Sequence, residues 1–337
     1  MAESEPTPRY TVAQLKAGKV PTGKRFVGIF LLQRKEMRTT RKGNPFLRLE
    51  FADKTGSFGA NLFDDSTLYQ ENQDLPEGTI IRLEGNAESY NDSFSPRLLS
   101  LESIPEDQAE QENLLQTLVE TCPENPEKLF LELFEAIDNI SDQGLRQTVE
   151  AVVNDFGESF KTAPAAISMH HAYRHGLLEH TVHMIRAGQA LLPLYPEVHA
   201  DLAIAGIIVH DVGKIDEYQG SSVFRKTPLG VMQGHVVLGY RAVRKAGLRN
   251  HLNPDLLERL EHIVLSHQGE LEWGAAAMAA TPEAVFVSMV DNLDAKMGMV
   301  QRLLRHREEG QELSERHLGL KTQVILSAPP ASTENSA

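Results

Sequence analysis

The sequence predicts two domains of different class, a small five-stranded β-barrel followed by an all-α domain. Three observations predict it. Short runs of alternating apolar and polar residues fill 24–103. Apolar residues recur at helical spacing from 127 onward. All 13 histidines lie at or after His170, so the second half is chemically distinct from the first.

The strands follow one another closely. "RFVGIFLLQ" (25–33) is strand-like, and in "FLRLEFAD" (46–53) Leu47, Leu49 and Phe51 alternate with Arg48 and Glu50. "KTG" (54–56) signals a turn before "SFGANLF" (57–63). A short polar helix is expected over 66–72. "TIIRLEGNAES" (79–89), the turn "YNDS" (90–93) and "FSPRLLSLE" (94–102) complete five strands. Five strands with an insertion after the third predict a Greek-key barrel of the OB type. An SH3-like barrel or another small sandwich is the alternative. The expected boundaries are an N-terminal segment over 1–22, the barrel over 23–104 and an acidic linker over 105–126, ending in "CPENPE".

Helices are expected over 127–140, 143–155, 176–192, 198–210, 231–247, 255–267 and 282–307, within an all-α domain spanning 127–310. In the first, Leu129, Leu133, Phe134 and Ile137 share one face. The segment 311–337 reads as a C-terminal tail, and its last residues, "SAPPASTENSA", are compositionally disordered.

The chain has one cysteine, Cys122, so no intramolecular disulfide can form and a reducing compartment is expected. "MAESEPTPRY" lacks the apolar core of a signal peptide. No apolar run approaches the ~18 residues of a membrane span. A soluble, cytoplasmic protein without a membrane partner is the expectation.

The net charge of −14 is unevenly spread. Acidic and basic residues number 14 and 14 in 1–105, 14 and 2 in 106–160, and 19 and 17 in 161–337. The excess is thus a solvated central segment, and a local basic patch can still recruit a nucleic acid. Residues 34–48 supply one. Arg34, Lys35, Arg38, Arg41, Lys42 and Arg48 stand against Glu36 alone, a charge of +5 in fifteen residues. Phe46 adds a stacking face. Cationic loops with aromatic platforms are how OB folds hold single strands, so Arg38, Arg41, Lys42, Phe46 and Arg48 are the candidate nucleic-acid contacts. Phe63 and Tyr90 are weaker stacking candidates.

Each helical segment of the second half carries one candidate metal ligand. His180 lies in "HGLLEHTVHMI", His210-Asp211 ends the apolar run "AIAGIIV", His235 opens "GHVVLGYRAV", His267 closes "LEHIVLSHQG", and Asp291 sits in "VFVSMVDNLDAKM". A carboxylate on so apolar a helix costs several kcal/mol unless a cation answers it. Imidazole and carboxylate together suit a divalent ion such as Mn, Fe, Co or Zn. Adjacent His210 and Asp211 reach one site only where the helix ends, and Gly213 permits the turn. His267 is preferred to His262, five residues earlier, because the two face different sides. His183 is close to the face of His180 and is a supporting candidate. His170, His171 and His175 precede that helix and either line a substrate path or pack. His199, His251, His306 and His317 read as surface residues.

This spacing resembles the HD superfamily of metal-dependent phosphohydrolases, whose H…HD…D motif is matched by His180, His210-Asp211 and Asp291. The resemblance implies that these four bind one ion, and that His235 and His267 serve a second bridged by Asp211. "SHQG" departs from the commoner "SHHG" at Gln268, so one or two ions are expected. Mn²⁺ is the first expectation, with Mg²⁺, Co²⁺, Fe²⁺ or Zn²⁺ as alternatives.

The likeness extends over about residues 9–307. The basic barrel segment, the acidic linker, "HHAYRHGLLEHT", "HDVGK" and "VDNLDAKM" together are similar to the YhaM family of 3′→5′ exoribonucleases, which couple an OB fold to an HD domain. Arg174-His175 stands where small residues are usual there. The resemblance implies hydrolysis of single-stranded RNA to nucleoside 5′-monophosphates; single-stranded DNA stays open as a substrate, because base stacking on a barrel does not distinguish the sugars. Asp211 and Lys214 are the expected catalytic residues, Lys214 neutralising charge on the phosphoryl oxygens. The alternative is an HD-type nucleotide or cyclic-dinucleotide phosphohydrolase whose barrel is regulatory.

Overall fold

The computed structural model describes residues 9–90, 93–105, 107–108, 113–167, 171–220, 223–307 and 310–329. The chain divides into two compact units, Met1–Thr121 with Gly220–Phe224, and Cys122–Gln219 with Arg225–Ala337.

The first unit is built on five long antiparallel strands, β1 (Arg25–Thr39), β2 (Pro45–Asp53), β3 (Gly56–Phe63), β4 (Ile80–Asn86) and β7 (Arg97–Ile104), with the two-residue pair β5 (Ser89–Tyr90) and β6 (Ser93–Phe94) between the last two. The sheet order is β3-β2-β1-β4-β7. β1 is shared. Its leading half pairs with β4, from Arg25↔Asn86 to Leu31↔Ile80, and its trailing half with β2, from Leu31↔Ala52 to Thr39↔Pro45. A bulge between Leu32 and Arg34 marks the changeover, where extra twist lets one strand serve two neighbours. Phe26, Phe30, Leu47, Leu49, Phe51, Phe58, Ile81 and Leu83 fill the core from alternating positions. Each such side chain contributes about 1.5–3 kcal/mol by its burial.

Two expectations need revision. The basic stretch is mostly strand: β1 runs on to Thr39, so only residues 40–44 remain as a turn. Cross-strand pairing with β2 accommodates Arg34 to Arg38 at the sheet surface despite their charge. The segment expected to be an acidic linker carries helix α3 (Leu114–Leu118), after α1 (Val12–Lys16) and α2 (Thr67–Asn72), and packs into the first unit. Leu114, Leu118 and Val119 are buried with Leu31, Ile80 and Ile104.

The second unit is helical: α4 (Pro126–Asp138), α5 (Gln143–Phe156), α6 (Glu158–Thr162), α7 (Gly176–Leu191), α8 (Ala200–Val209), α9 (Lys214–Glu217), α10 (Pro228–Arg249), α11 (Pro254–Ser266) and α12 (Pro282–Arg305). Asn125, Asp142, Asn253 and Thr281 start α4, α5, α11 and α12 by accepting backbone N–H groups that the first turn leaves free. α8 is apolar on all sides and buried from Leu202 to Val209, so it forms the centre of the unit. A Cβ at Gly206 would lie 2.8 Å from Ile263, which explains a glycine inside this helix. Among the described residues, no helix is long and apolar enough to cross a membrane.

Candidate metal centre

Four imidazoles converge on Asp211, and each is aimed by a bond to its other nitrogen. His210 ends α8 and His267 ends α11. Both use one local device: Nδ1 meets the carbonyl three residues back, Ile207 at 2.8 Å and Val264 at 2.7 Å. Those carbonyls lack partners at a helix end. Each ring thereby satisfies its own backbone and turns Nε2 outward. His180, on α7, meets Asp294 Oδ2 through Nδ1 at 2.7 Å. His235 meets Glu217 Oε2 through Nδ1 at 2.8 Å. It is aimed by a break in α10 at Gly234, whose φ of 69° suits glycine.

The free edges face one carboxylate. Asp211 Oδ2 lies 3.3 Å from His210 Nε2 and 3.7 Å from His180 Nε2. Its Oδ1 lies 3.3 Å from His267 Nε2 and 3.6 Å from His235 Nε2. Asp211 therefore stands between two half-sites, His180 with His210 and His235 with His267, and each set of three could hold a metal ion. Asp291 Oδ1 is 3.4 Å from His180 Nε2, on the first half-site. Gln268 brings its amide to 3.1 Å from His235 Nε2 and 3.0 Å from His267 Nε2, on the second.

The donor set fits a divalent cation. Asp211 Oδ1 is buried and without a hydrogen-bond partner, one of three such side-chain atoms among the described residues. An orphaned buried acceptor costs about 1–3 kcal/mol unless something answers it. Electrostatics point the same way. Burial works against the charge on Asp211, yet Lys214 and His210 hold its carboxyl well below the usual range. Burial also opposes a charged His180, but Asp291 and Asp294 prevail and raise it to about 10. Asp291 is brought down, against burial, to about 2 by His180 and His210. The carboxylates demand positive charge, which a proton on His180 supplies and a divalent ion supplies in exchange for that proton.

Every metal-site candidate from the sequence lies in this cluster. The one adjustment concerns Gly213. Its φ is an ordinary −64°, so the turn does not need glycine. A Cβ there would meet His235 O at 2.0 Å and Gly239 N at 2.5 Å, so glycine admits the close approach of α10. Lys214 is buried and paired to Asp211 Oδ2. His262 accepts from Ala280 N instead of joining the cluster. His183 sits 3.1 Å from Glu124 and 3.3 Å from Asp294. His175 binds the Lys161 carbonyl at 2.7 Å, and His170 lies outside the described residues. The sequence reading missed Asp294 and Glu217, which touch candidate-ligand rings, and gave His171 a path-lining or packing role where its ring instead lies against Asp294 at 2.9 Å.

The candidate nucleic-acid residues divide. Arg38, Phe46 and Arg48 line a cleft of ≈ 740 Å³ in the β unit, together with Lys16, Arg34 and Asn61. Arg41 and Lys42 are not among its walls and lie exposed on the β1–β2 turn. Phe46 and Phe63 are opposite in register, with ring centroids 5.6 Å apart. Arg48 reaches Asn61 Oδ1 at 3.1 Å. Glu36 pairs with both Arg34 and Arg38, and their hold lowers its pKa.

An HD domain model matches residues 177–296, which contain every member of the cluster. The 3′-5′ exoribonuclease YhaM of Oceanobacillus iheyensis is 33% identical over 304 residues, covering 90% of this chain and 94% of the relative. That of Listeria monocytogenes is 30% identical over 302 residues, covering 89% and 95%. A Geobacillus counterpart is 31% identical over 285 residues, covering 83% and 85%. The chain belongs to the YhaM family of 3′-5′ exoribonucleases.

Proposed function

We propose that this protein is a metal-dependent 3′→5′ exoribonuclease that hydrolyses single-stranded RNA to nucleoside 5′-monophosphates and accepts single-stranded DNA as a second substrate. The observation that carries this reading is Asp211, with one oxygen toward each pair of imidazoles and a buried Oδ1 lacking a hydrogen-bond partner.

His180, His210, Asp211 and Asp291 are the residues for one divalent ion, and Asp211, His235 and His267 for another. Mn²⁺ suits a mixed set of neutral imidazole and carboxylate. Bound there, divalent cations supply Lewis acidity to the phosphodiester and to the attacking water. The protein's own groups do the rest. Glu217, Asp294 and the two helix-end carbonyls keep Nε2 of every ring turned inward. Asp211 keeps a full negative charge through its proximity to Lys214. Lys214 exchanges Asp211 for the phosphoryl oxygens as charge grows on them.

The β unit is read as an OB domain. The sheet order β3-β2-β1-β4-β7 supports that reading, since opening a five-stranded Greek-key barrel between its third and last strands would leave this order. Arg38, Arg48 and Phe46 in the cleft hold phosphate and base, and Arg41 and Lys42 add charge from the turn. The working domain boundaries are 23–104 for this module and 127–310 for the HD domain.

The test is a 5′-labelled single-stranded RNA incubated with enzyme, with chelator, and with chelator followed by excess Mn²⁺. A ladder shortening from the 3′ end and release of mononucleotides, lost with chelator and restored by Mn²⁺, is expected. An uncut oligonucleotide beside a hydrolysed nucleotide or cyclic dinucleotide would overturn the reading.

A further inference from the structure

Asp294 lies on α12 one turn beyond Asp291 and is buried. It faces three imidazoles. Its Oδ2 accepts from His180 Nδ1 at 2.7 Å and from His171 Nε2 at 2.9 Å, and its Oδ1 is 3.3 Å from His183 Nδ1. His171 is in turn held from behind. Its Nδ1 is 2.9 Å from Glu179 Oε2 and 2.8 Å from Tyr173 Oη, and Tyr173 donates to the same Glu179 oxygen. All four of His171, Tyr173, Glu179 and Asp294 are buried.

The backbone at His171 is unusual. Its φ is 46°, a left-handed conformation uncommon outside glycine and seldom kept without cause. Its carbonyl accepts from Ala165 N at 3.2 Å and Tyr173 N at 2.9 Å. A Cβ at position 176 would lie 2.0 Å from that carbonyl oxygen, so Gly176 is what makes room for it. Two features of the chain, a left-handed histidine and a required glycine, thus serve one placement: the ring of His171 against Asp294.

We propose that Asp294, fixed by His171 and the Tyr173–Glu179 pair behind it, is the positioning residue that sets the orientation of His180 and so the affinity of the first half-site for its ion. The inference rests on the reading of His180 as a metal ligand. A carboxylate behind a ligating imidazole fixes its tautomer and ring plane, and losing one elsewhere typically costs 10- to 100-fold in affinity. His171 reaches His180 by hydrogen bonds through Asp294, with Nε2 at 2.9 Å from the same Oδ2 that lies 2.7 Å from His180 Nδ1, and the two rings also pack with centroids 5.6 Å apart.

The test is titration of the metal-free, full-length protein with Mn²⁺, beside the visible spectrum of the Co²⁺-loaded form. Asp294→Asn, nearly isosteric, should weaken Mn²⁺ binding about 10- to 100-fold and shift the Co²⁺ bands. His171→Asn keeps a residue type that tolerates positive φ but is too short to reach Asp294. It should weaken binding severalfold in metal-free protein that circular dichroism shows to be folded, although the unpaired neighbours lower its melting temperature. The double variant should bind no worse than Asp294→Asn alone. His180→Ala separates the two readings. If it leaves Mn²⁺ affinity intact, the ligand assignment itself falls. If it abolishes binding while Asp294→Asn and His171→Asn both bind and absorb like the parent, only the positioning role falls. Should Asp294→Asn fail to fold, His171→Asn decides alone.

Discussion

The metal centre and the cationic cleft meet their chemistry in opposite ways. In the helical unit, side chains from α7, α10, α11, α12 and the end of α8 bring their nitrogen and oxygen atoms to 3.3–3.7 Å of one another. Each ring is buried or nearly so, and each has its far nitrogen occupied. In the β unit, Arg34 and Arg38 stand with 66% and 56% of their side-chain surface exposed and share Glu36. Exposed pairs contribute about 0–1 kcal/mol and are screened by salt. The difference teaches that hydrolysis depends on placement, where one lost group leaves its neighbours buried and unpaired. Holding a polyanion depends on the sum of many charges, none of them indispensable.

The sharpest way to break this contrast is at Asp211. Asp211→Ala removes the group common to both half-sites and should lower turnover at least about a thousandfold, equivalent to about 4 kcal/mol. RNA binding measured by fluorescence anisotropy should stay within about threefold of the parent. Loss of binding in step with turnover would show that the cluster, and not the cleft, carries the affinity.

Metal removal should show next in size, and in stability as well as activity. Mn²⁺ at about 100 times its Kd should stabilise the folded protein by about 2.7 kcal/mol, which calorimetry should register as a rise of about 5–10 °C in the unfolding midpoint. A variant neutralised at Arg38, Arg41 and Lys42 should show the same rise, because its metal centre is intact. A smaller rise in that variant would mean that the basic residues support the cluster.

The same contrast governs what could be read from the sequence. The long helices are legible because apolar periodicity, capping residues and first-turn prolines agree, as at Asn253-Pro254 and Thr281-Pro282. The candidate ligands are legible because a metal demands particular residue types, and the spacing of His180, His210-Asp211 and Asp291 is specific. Asp294, Glu217 and His171 are not legible in that way: Asp294 and Glu217 touch the far nitrogens of candidate ligands, and His171 touches Asp294. His171 and Asp294 are 123 residues apart, and no local pattern joins them. A faint signal existed, for Asp294 follows Asp291 by one turn and shares its face. In the β unit, the charge of Arg34 to Arg38 mimicked a loop. Cross-strand pairing, which sequence does not display, makes it strand.

The cleft is sharpened by changing charge without changing shape. Neutralising Arg38, Arg41 and Lys42 should weaken RNA binding about tenfold at 0.1 M salt and flatten the log–log salt dependence by about 2, at roughly 0.7 per contact for a single strand. Turnover at saturating RNA should not move. Glu36→Gln is the reverse experiment. It frees Arg34 and Arg38 from their shared partner, and binding should tighten about two- to fivefold, the scale of an exposed ion pair. An unaltered salt slope in the first variant, or weaker binding in the second, would place the RNA on another surface.

The smallest effect tests the helical unit away from its chemistry. Glu124 accepts from Arg186 Nη1 and Nη2 at 2.8 and 2.9 Å, and Arg186 also meets Glu132. The Arg186 hydrogen bonds hold the Glu124 carboxyl at about 2, against an ordinary value of 4.5. A carboxyl depressed in the folded state adds stability that is complete above the unfolded value and is lost as pH falls through the folded one. The contribution should therefore be whole above about pH 4.5 and gone near pH 2. About a third of the Glu124 side chain is exposed, so solvent screening trims the contribution to about 1–2 kcal/mol. Urea unfolding of the parent and of Glu124→Gln should differ by that amount from pH 7 to 5. The two should converge as pH falls from 4.5 toward 2.5, while turnover at pH 7 stays equal. A gap as large at pH 2.5 as at pH 7 would mean that Glu124 acts by packing; a loss of turnover would mean that Arg186 and His183 transmit its charge to Asp294 and the metal centre.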